Sequence, residues 1–336
     1  MGCSFSCTRS ISHATPKTSV LAVRSRTTIL AKPRHRSRDG LRPRLRSCRH
    51  HPSYGPINQG PQVQETITIN LKSCFGCHST PFTREICVNQ LHEISFFWEA
   101  RDNIVRAVEK RMSAALIAAA GSGKSTVVRA VIARLPQARS VTHYVKCTDI
   151  GKRDMCREIA CVCGVPSAGF FPALLRRIQD KFESSLTDAG RRPVLLLDEA
   201  QDLRPDVLSM LRVLTNFQMD SKLVLSVVLA GQPPLAKLLA QDDQSAVARR
   251  IVHYATLRPL SRDETAKYVE FRMGVAGARQ SPFDDASLDA IYEIAQGNLR
   301  ITDNLALESL ELAAAAKLKV VSAQHVAAAR RAQWPS

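Results

Sequence analysis

The stretch AAAGSGKST, Ala118–Thr126, follows the short apolar run AALIAA and opens the amphipathic segment KSTVVRAVIARL. Its spacing is that of GxxxxGK[ST], with Ala118 where the first glycine is usual and with Gly123, Lys124 and Ser125 in register. A strand, a glycine-rich turn and a helix start in this order turn backbone N–H groups and the positive helix end toward one point. That geometry suits the β-phosphate of a nucleotide. Gly121, Ser122 and Thr126 belong to the same cradle; the Lys124 ammonium can reach the β- and γ-oxygens, and the Ser125 hydroxyl can ligate Mg²⁺. A glycine-rich turn carrying an exposed lysine is the plainer alternative, and the strand-to-helix context counts against it.

The second chemical element is PVLLLDEAQDL, Pro193–Leu203, an apolar run that ends in Asp198 and Glu199. A carboxylate at the end of such a strand is where a phosphate-loop protein holds Mg²⁺, which gives Asp198 that role. Alternation along a strand points neighbouring side chains differently, so Glu199 is free to face the γ-phosphate and polarise the attacking water. Two solvated acids at a strand end would be the reading if no phosphate loop were present.

A third stretch, LKSCFGCHSTPF, places Cys74, Cys77 and His78 in the CxxCH spacing of c-type haem attachment. Such attachment takes place on the outer side of a membrane, yet the first thirty residues offer only SVLAV as an apolar block. A zinc site from Cys48, His50, Cys74 and Cys77 has suitable ligand types, but only one CxxC is present. Cys156, Cys161 and Cys163 sit among apolar residues at helical spacing and read as small buried side chains. Although the chain has ten cysteines, a protein of 336 residues needs no disulfide staples, so a reducing compartment is expected.

Elements that could position these residues alternate in type. Strands are expected at Ala114 to Ala119, Val141 to Cys147, Pro193 to Asp198, Leu223 to Ala230 and Val252 to Leu257. Helical patterns lie between them, at 124 to 135, 152 to 163, 172 to 189, 204 to 217 and 233 to 241. Such alternation predicts a parallel sheet covered on both faces. Strands stop after Pro259. Ser261 and Glu264 form a capping box that opens a run of helices continuing near 285 to 296, 299 to 317 and 322 to 331.

Charge is concentrated at one end. Residues 1 to 70 carry twelve Lys or Arg against two acids, Asp39 and Glu65, so this segment holds +10 of the formal +17. It is rich in Ser, Pro and His, lacks periodicity and reads as disordered. A polybasic tail can grip nucleic acid, an Arg- and Ser-rich start can be a transit peptide, and a start codon assigned too early would give the same composition. The longest uncharged apolar run, LVLSVVLAG at Leu223 to Gly231, is far short of the roughly 20 residues that cross a bilayer.

Taken in order, CFGCHSTPF, AAAGSGKST, LLLDEAQDL, LAGQPPL, RRIVHYATLRPLSRDET and GNLR resemble the AAA+ ATPases related to general secretion pathway protein A (ExeA-like) and the TniB-type ATP-binding proteins of transposons. The resemblance spans residues 72 to 332 and implies an α/β P-loop NTPase of the AAA+ type with a small C-terminal helical lid. It implies a basic extension over 1 to 70, an ATPase domain over 71 to 259 and a lid over 260 to 332. Because such proteins carry FG followed by PF before the first helix, here Phe75, Gly76, Pro81 and Phe82, it makes CxxCH a coincidence in a segment that packs near the nucleotide-binding domain; no haem is expected.

The same resemblance gives roles to residues that spacing leaves open. Gln232 falls at sensor 1, which orients the water; Arg250 matches the arginine finger of a neighbouring subunit, better than Arg249 does; Arg300 in GNLR matches sensor 2. It implies ATP and Mg²⁺ as ligands, ATP hydrolysis, a homo-oligomer and a cytoplasmic place. With the basic surplus, it implies phosphate contacts to duplex DNA and a separate transposase as partner. A secretion-type ATPase and a nucleotide-gated scaffold with negligible turnover are the alternatives.

Overall fold

Parallel pairing of five strands organises the protein, and their spatial order is β2-β3-β4-β1-β5. The computed structural model describes residues 71 to 241 and 245 to 333, all within the compact unit Pro56–Ser336. The expected disorder of residues 1 to 70, and Cys48 and His50, lie outside the described residues. The strands are β1 Ser113–Ala118, β2 Ser140–Lys146, β3 Arg192–Asp198, β4 Ser226–Gly231 and β5 Ile251–Leu257. Every residue of β4 is buried, as are the last six of β3, which explains why both strands read as continuous apolar runs.

Successive side chains of a strand face opposite sides, and here they feed two cores. Leu195, Leu197 and Leu229 pack with Met155, Ile159, Ile178, Phe182 and Leu208 on one side. On the other, Leu116, Leu196 and Val228 pack with Phe97, Ile104, Val127 and Val131. The first side is covered by α3 Lys152–Val162, α4 Phe171–Thr187 and α5 Pro205–Leu214, the second by α1 Ser95–Glu109 and α2 Lys124–Arg134. Short helices α6 Pro234–Leu239 and α7 Ser245–Ala248 join β4 to β5.

The strand order decides what meets what. In a parallel sheet all strand C-termini share one edge, so the turn after β1, the acids after β3 and Gln232 after β4 are brought to the same side. Arg250, which precedes β5, lies at the edge where Ser113 pairs with Ile251. It is therefore at the opposite edge from the phosphate loop of its own chain.

Beyond β5 the chain is helical: α8 Arg262–Val275, α9 Asp285–Ala295, α10 Leu299–Ala315 and α11 Ala323–Gln333. The expected capping box forms, with Ser261 Oγ accepting from the Glu264 N–H at 3.3 Å and the Glu264 carboxylate accepting from the Ser261 N–H at 2.8 Å. Val269, Met273, Ile291, Leu310 and Val321 make this region's core, and Leu71, Cys77 and Phe82 are part of it.

The CxxCH stretch thus packs on the core of the helical region. Cys77 is 1% exposed, and burial raises its thiol pKa. The Cys74 thiol faces the carbonyl of Ala314 at 3.9 Å, and the His78 N–H donates to the carbonyl of Ala276 at 2.6 Å. Apolar packing accounts for Cys77 without a ligand. Buried Cys156 and Cys163 are core residues as expected, whereas Cys161 is exposed.

Candidate active site

The loop after β1 can take its path only because of its glycines. Gly121 has φ +77° and Gly123 φ +91°, the left-handed region that other residues seldom enter. Space is equally restrictive. A Cβ on Gly121 would collide with the Asn298 side chain, and one on Gly123 would lie 2.9 Å from Phe97 Cζ and 3.0 Å from Leu299 Cδ1. Ala118, the departure from the glycine pattern, is buried at the end of β1 and serves through its carbonyl.

Lys124 is 6% exposed, an unusual state for a lysine. Its Nζ donates to the carbonyls of Ala118 and Ala119, each at 3.3 Å, and Ser122 Oγ donates to Ala119 at 2.6 Å. Burial lowers the Lys124 pKa while the charges of Glu199 and Asp198 pull it up and Arg300 pulls it down. The ammonium is therefore desolvated, held by two neutral carbonyls and placed among charges that feel it, a state that an incoming phosphate would relieve.

Asp198 is buried, and its two oxygens are both engaged: Oδ1 accepts from the Glu199 N–H at 2.9 Å and Oδ2 from the Tyr144 hydroxyl at 3.0 Å. Burial and the adjoining Asp198 push the Tyr144 pKa up, so the phenol stays a donor. Glu199 lies just past the strand with φ +53°. The two carboxylates diverge through this left-handed residue, whereas the sequence reading relied on strand alternation.

Glu199 Oε2 accepts from Gln201 Nε2 at 2.9 Å and from Gln232 Nε2 at 3.4 Å. The Gln201 bond is the main cause that lowers its pKa, against partial burial, so the group is held as a carboxylate. Gln232, expected at sensor 1 to orient the water, is thus beside Glu199.

Glu199 and Gln232 border a cavity of about 450 Å³, whereas Asp198, Tyr144 and Gln201 are not among its lining residues. One wall is the loop, Lys124, Ser125, Thr126, Glu199, Gln232 and Arg300; the other holds Ile86, Leu91, Ile94, Phe97 and Trp98. A cleft of this size with an apolar end and a charged end matches the general form of small-molecule sites. A polar corner is set by Arg272, which donates to the Tyr268 hydroxyl at 2.7 Å and to the Thr83 carbonyl at 2.6 Å, while Tyr268 donates to Asp303 at 2.8 Å. Burial raises the Asp303 pKa to about 6 although Arg272 opposes it.

Arg300 enters from the helical region. Its backbone N–H donates to the Gly121 carbonyl at 3.2 Å, and its side chain is exposed at the cavity. Arg250 is not among the lining residues; it makes an ion pair with Asp220. Arg249 is exposed. Tyr144, Gln201, Asn298 and the wall over 86 to 98 escaped the sequence reading, although apolar Phe97, Ala100, Ile104 and Val108 at helical spacing do announce α1.

Asn298 ties the helical region to the loop. Its Oδ1 caps α10 by accepting from the N–H groups of Arg300 at 3.1 Å and Ile301 at 3.3 Å, and its Nδ2 donates to the Ala120 carbonyl at 2.8 Å. Asn298→Ala should cost about 0.5–2 kcal/mol in a denaturant titration. Asn298→Asp keeps the capping acceptor but loses the donor to Ala120, so it should lose less. Equal midpoints for parent and Asn298→Ala would show that the cap contributes nothing.

Residues 106 to 239 match a family model described as an AAA domain. General secretion pathway protein A of Aeromonas hydrophila is 36% identical over 200 residues, which are 59% of this chain and 36% of that protein. The chain thus matches little more than a third of that relative's length. Among solved structures, Cdc6p from Pyrobaculum aerophilum superposes with a TM-score of 0.62 at 17% identity, over 75% of this chain and 70% of that one. The ORC1 protein of Aeropyrum pernix, in complex with DNA, gives 0.57 at 19% identity over 75% and 68%. At such identities the likeness concerns the fold. Sheet order, phosphate loop and the match over residues 106 to 239 together give an α/β P-loop fold of the AAA type with a C-terminal helical region.

Proposed function

We propose that the chain binds ATP with Mg²⁺, hydrolyses it, and works as the DNA-binding accessory ATPase of a transposition system. The observation that carries the hydrolytic part is the convergence of the glycine loop, Lys124 and Glu199 on one cavity, with Arg300 at its rim. Loop N–H groups and Lys124 would bind and orient the phosphates. Glu199, kept ionised by two amide donors, would accept the proton of the attacking water. Gln232 would orient that water, and Arg300 would lie against the transferring phosphate.

A hydroxyl and a carboxylate, Ser125 and Asp198, are hard oxygen donors and fit Mg²⁺, which keeps several waters and binds through few protein ligands. When bound, the metal supplies neutralisation of charge on the phosphates. The Tyr144 hydroxyl, which donates to Asp198 Oδ2, would hold the carboxylate for that role.

Support for the DNA part comes from the resemblance to TniB-type proteins and from the formal charge of +17. The DNA complex of the ORC1 protein, a fold relative, is consistent with it. Binding to duplex should need ATP, show little sequence preference, and weaken about 10³- to 10⁵-fold between 50 and 200 mM salt if six to ten phosphates are contacted. Titration of labelled duplex with ATP, with ADP and without nucleotide checks this. Binding that is equal in all three states, and lost on deletion of residues 1 to 70, would assign it to the basic segment alone.

A second reading is a secretion-type ATPase, favoured by the 36% identity to general secretion pathway protein A. Under that reading ATP turnover remains, but duplex has no effect on it. Phosphate release measured with and without duplex separates the two.

A further inference from the structure

We infer that Gln201 is a positioning residue that presents Glu199 to the phosphate cavity through an amide locked in one orientation. The inference rests on the hydrolytic reading of the site. Gln201 follows Glu199 by two positions, in the short 3₁₀ turn Ala200–Asp202, and it is not among the residues that line the cavity. Whatever it does to the reaction it does through a neighbour.

Its amide is used at both ends. Oε1 accepts from the Gln232 N–H at 2.9 Å, and Nε2 donates to Glu199 Oε2 at 2.9 Å. A backbone N–H can only donate, so the end of the amide beside Gln232 must be its oxygen, and the end beside Glu199 must be N–H₂. Flipping the amide would set donor against donor on one side and acceptor against acceptor on the other. Room for this arrangement depends on Gly231, because a Cβ there would lie 3.1 Å from both the Gln201 backbone N and its Oε1.

The consequence is a fixed choice between carboxylate oxygens. Glu199 Oε2 accepts both Gln201 and Gln232, while no donor is assigned to Oε1 among these bonds. One oxygen holds the side chain still and the other is left for a water. The start of the helical turn after β4 is tied to the acid after β3 by the same amide, so a shift at Gln232 moves the base.

Gln201→Ala and Gln201→Glu, compared with the parent and with Glu199→Gln, test this. Phosphate release gives kcat and KM, fluorescent ATP-analogue titration gives affinity, and thermal melting checks the fold. Glu at 201 conserves size and still accepts from the Gln232 N–H, but it faces Glu199 with a second acceptor. Both variants should bind the analogue within about twofold of the parent and lose about 10- to 10²-fold in kcat, with Gln201→Glu at least as slow as Gln201→Ala. A spacer role would instead leave Gln201→Glu at the parental rate and sink the inference, as would a loss confined to KM. An active parent whose two variants match it overturns the inference alone. A parent no faster than Glu199→Gln overturns the hydrolytic reading and this inference with it.

Discussion

Glu199→Gln should bind ATP as the parent does and turn it over about 10²- to 10⁴-fold more slowly, the usual loss for a positioned base. The substitution is nearly isosteric, and a glutamine at this position can still offer one oxygen to the amides of Gln201 and Gln232, so the local turn has reason to persist. Neither the glycine loop nor Asp198 is touched. Lys124→Ala behaves differently. It removes the ammonium that sits buried against the loop carbonyls of Ala118 and Ala119, so affinity for ATP should fall along with turnover. Fluorescent-analogue titration and phosphate release, run on both variants, check the pair. Parental turnover by Glu199→Gln would remove Glu199 from the role of base.

Legibility in the sequence followed how local each signal was. The glycine turn, Asp198 and the five strands could be read because parallel strands covered on both faces are continuous apolar runs, and such runs need only one stretch of chain to be recognised. Strand order was not in that signal, and it is strand order that brings Gln232 beside Glu199. Gln201 carries no local signal, because an amide is neither acid nor base and its effect depends on a backbone N–H thirty-one positions away. Glu199 lies just past the strand with a left-handed φ, so strand alternation does not set its direction. The apolar wall from Ile86 to Leu91 holds only the three-residue 3₁₀ turn Val88–Gln90, too short to show a period, and its role emerges only when the helical region closes the other side. Cys77 shows the converse. A three-residue spacing matched a haem signature, while burial in the helical core, invisible to spacing, accounts for the residue.

Arg250→Ala and Lys124→Ala, each expected to be inactive alone, should recover part of the ATPase activity when mixed. The reason is the position of Arg250 relative to its own cavity. It precedes β5 at the edge of the sheet opposite the phosphate loop and pairs with Asp220, so within one chain it cannot neutralise a phosphate held by Lys124. A guanidinium in that place could act only on the cavity of a neighbouring copy. The resemblance to AAA+ ATPases implies that use, and such fingers contribute roughly 10³- to 10⁵-fold in turnover. Its pairing with Asp220, an exposed partner, is no obstacle, because exposed ion pairs are worth little and are readily exchanged. In the mixture, an Arg250→Ala subunit keeps its phosphate loop and a Lys124→Ala subunit keeps its finger. Some interfaces then combine both intact parts, and activity should rise more than linearly with protein concentration as those interfaces form. Phosphate release from the mixture, alongside sedimentation of the same samples, is the measurement. A mixture that stays inactive although the variants co-sediment would leave Arg250 as a surface partner of Asp220 and turn the search to exposed Arg249, its neighbour at the same edge.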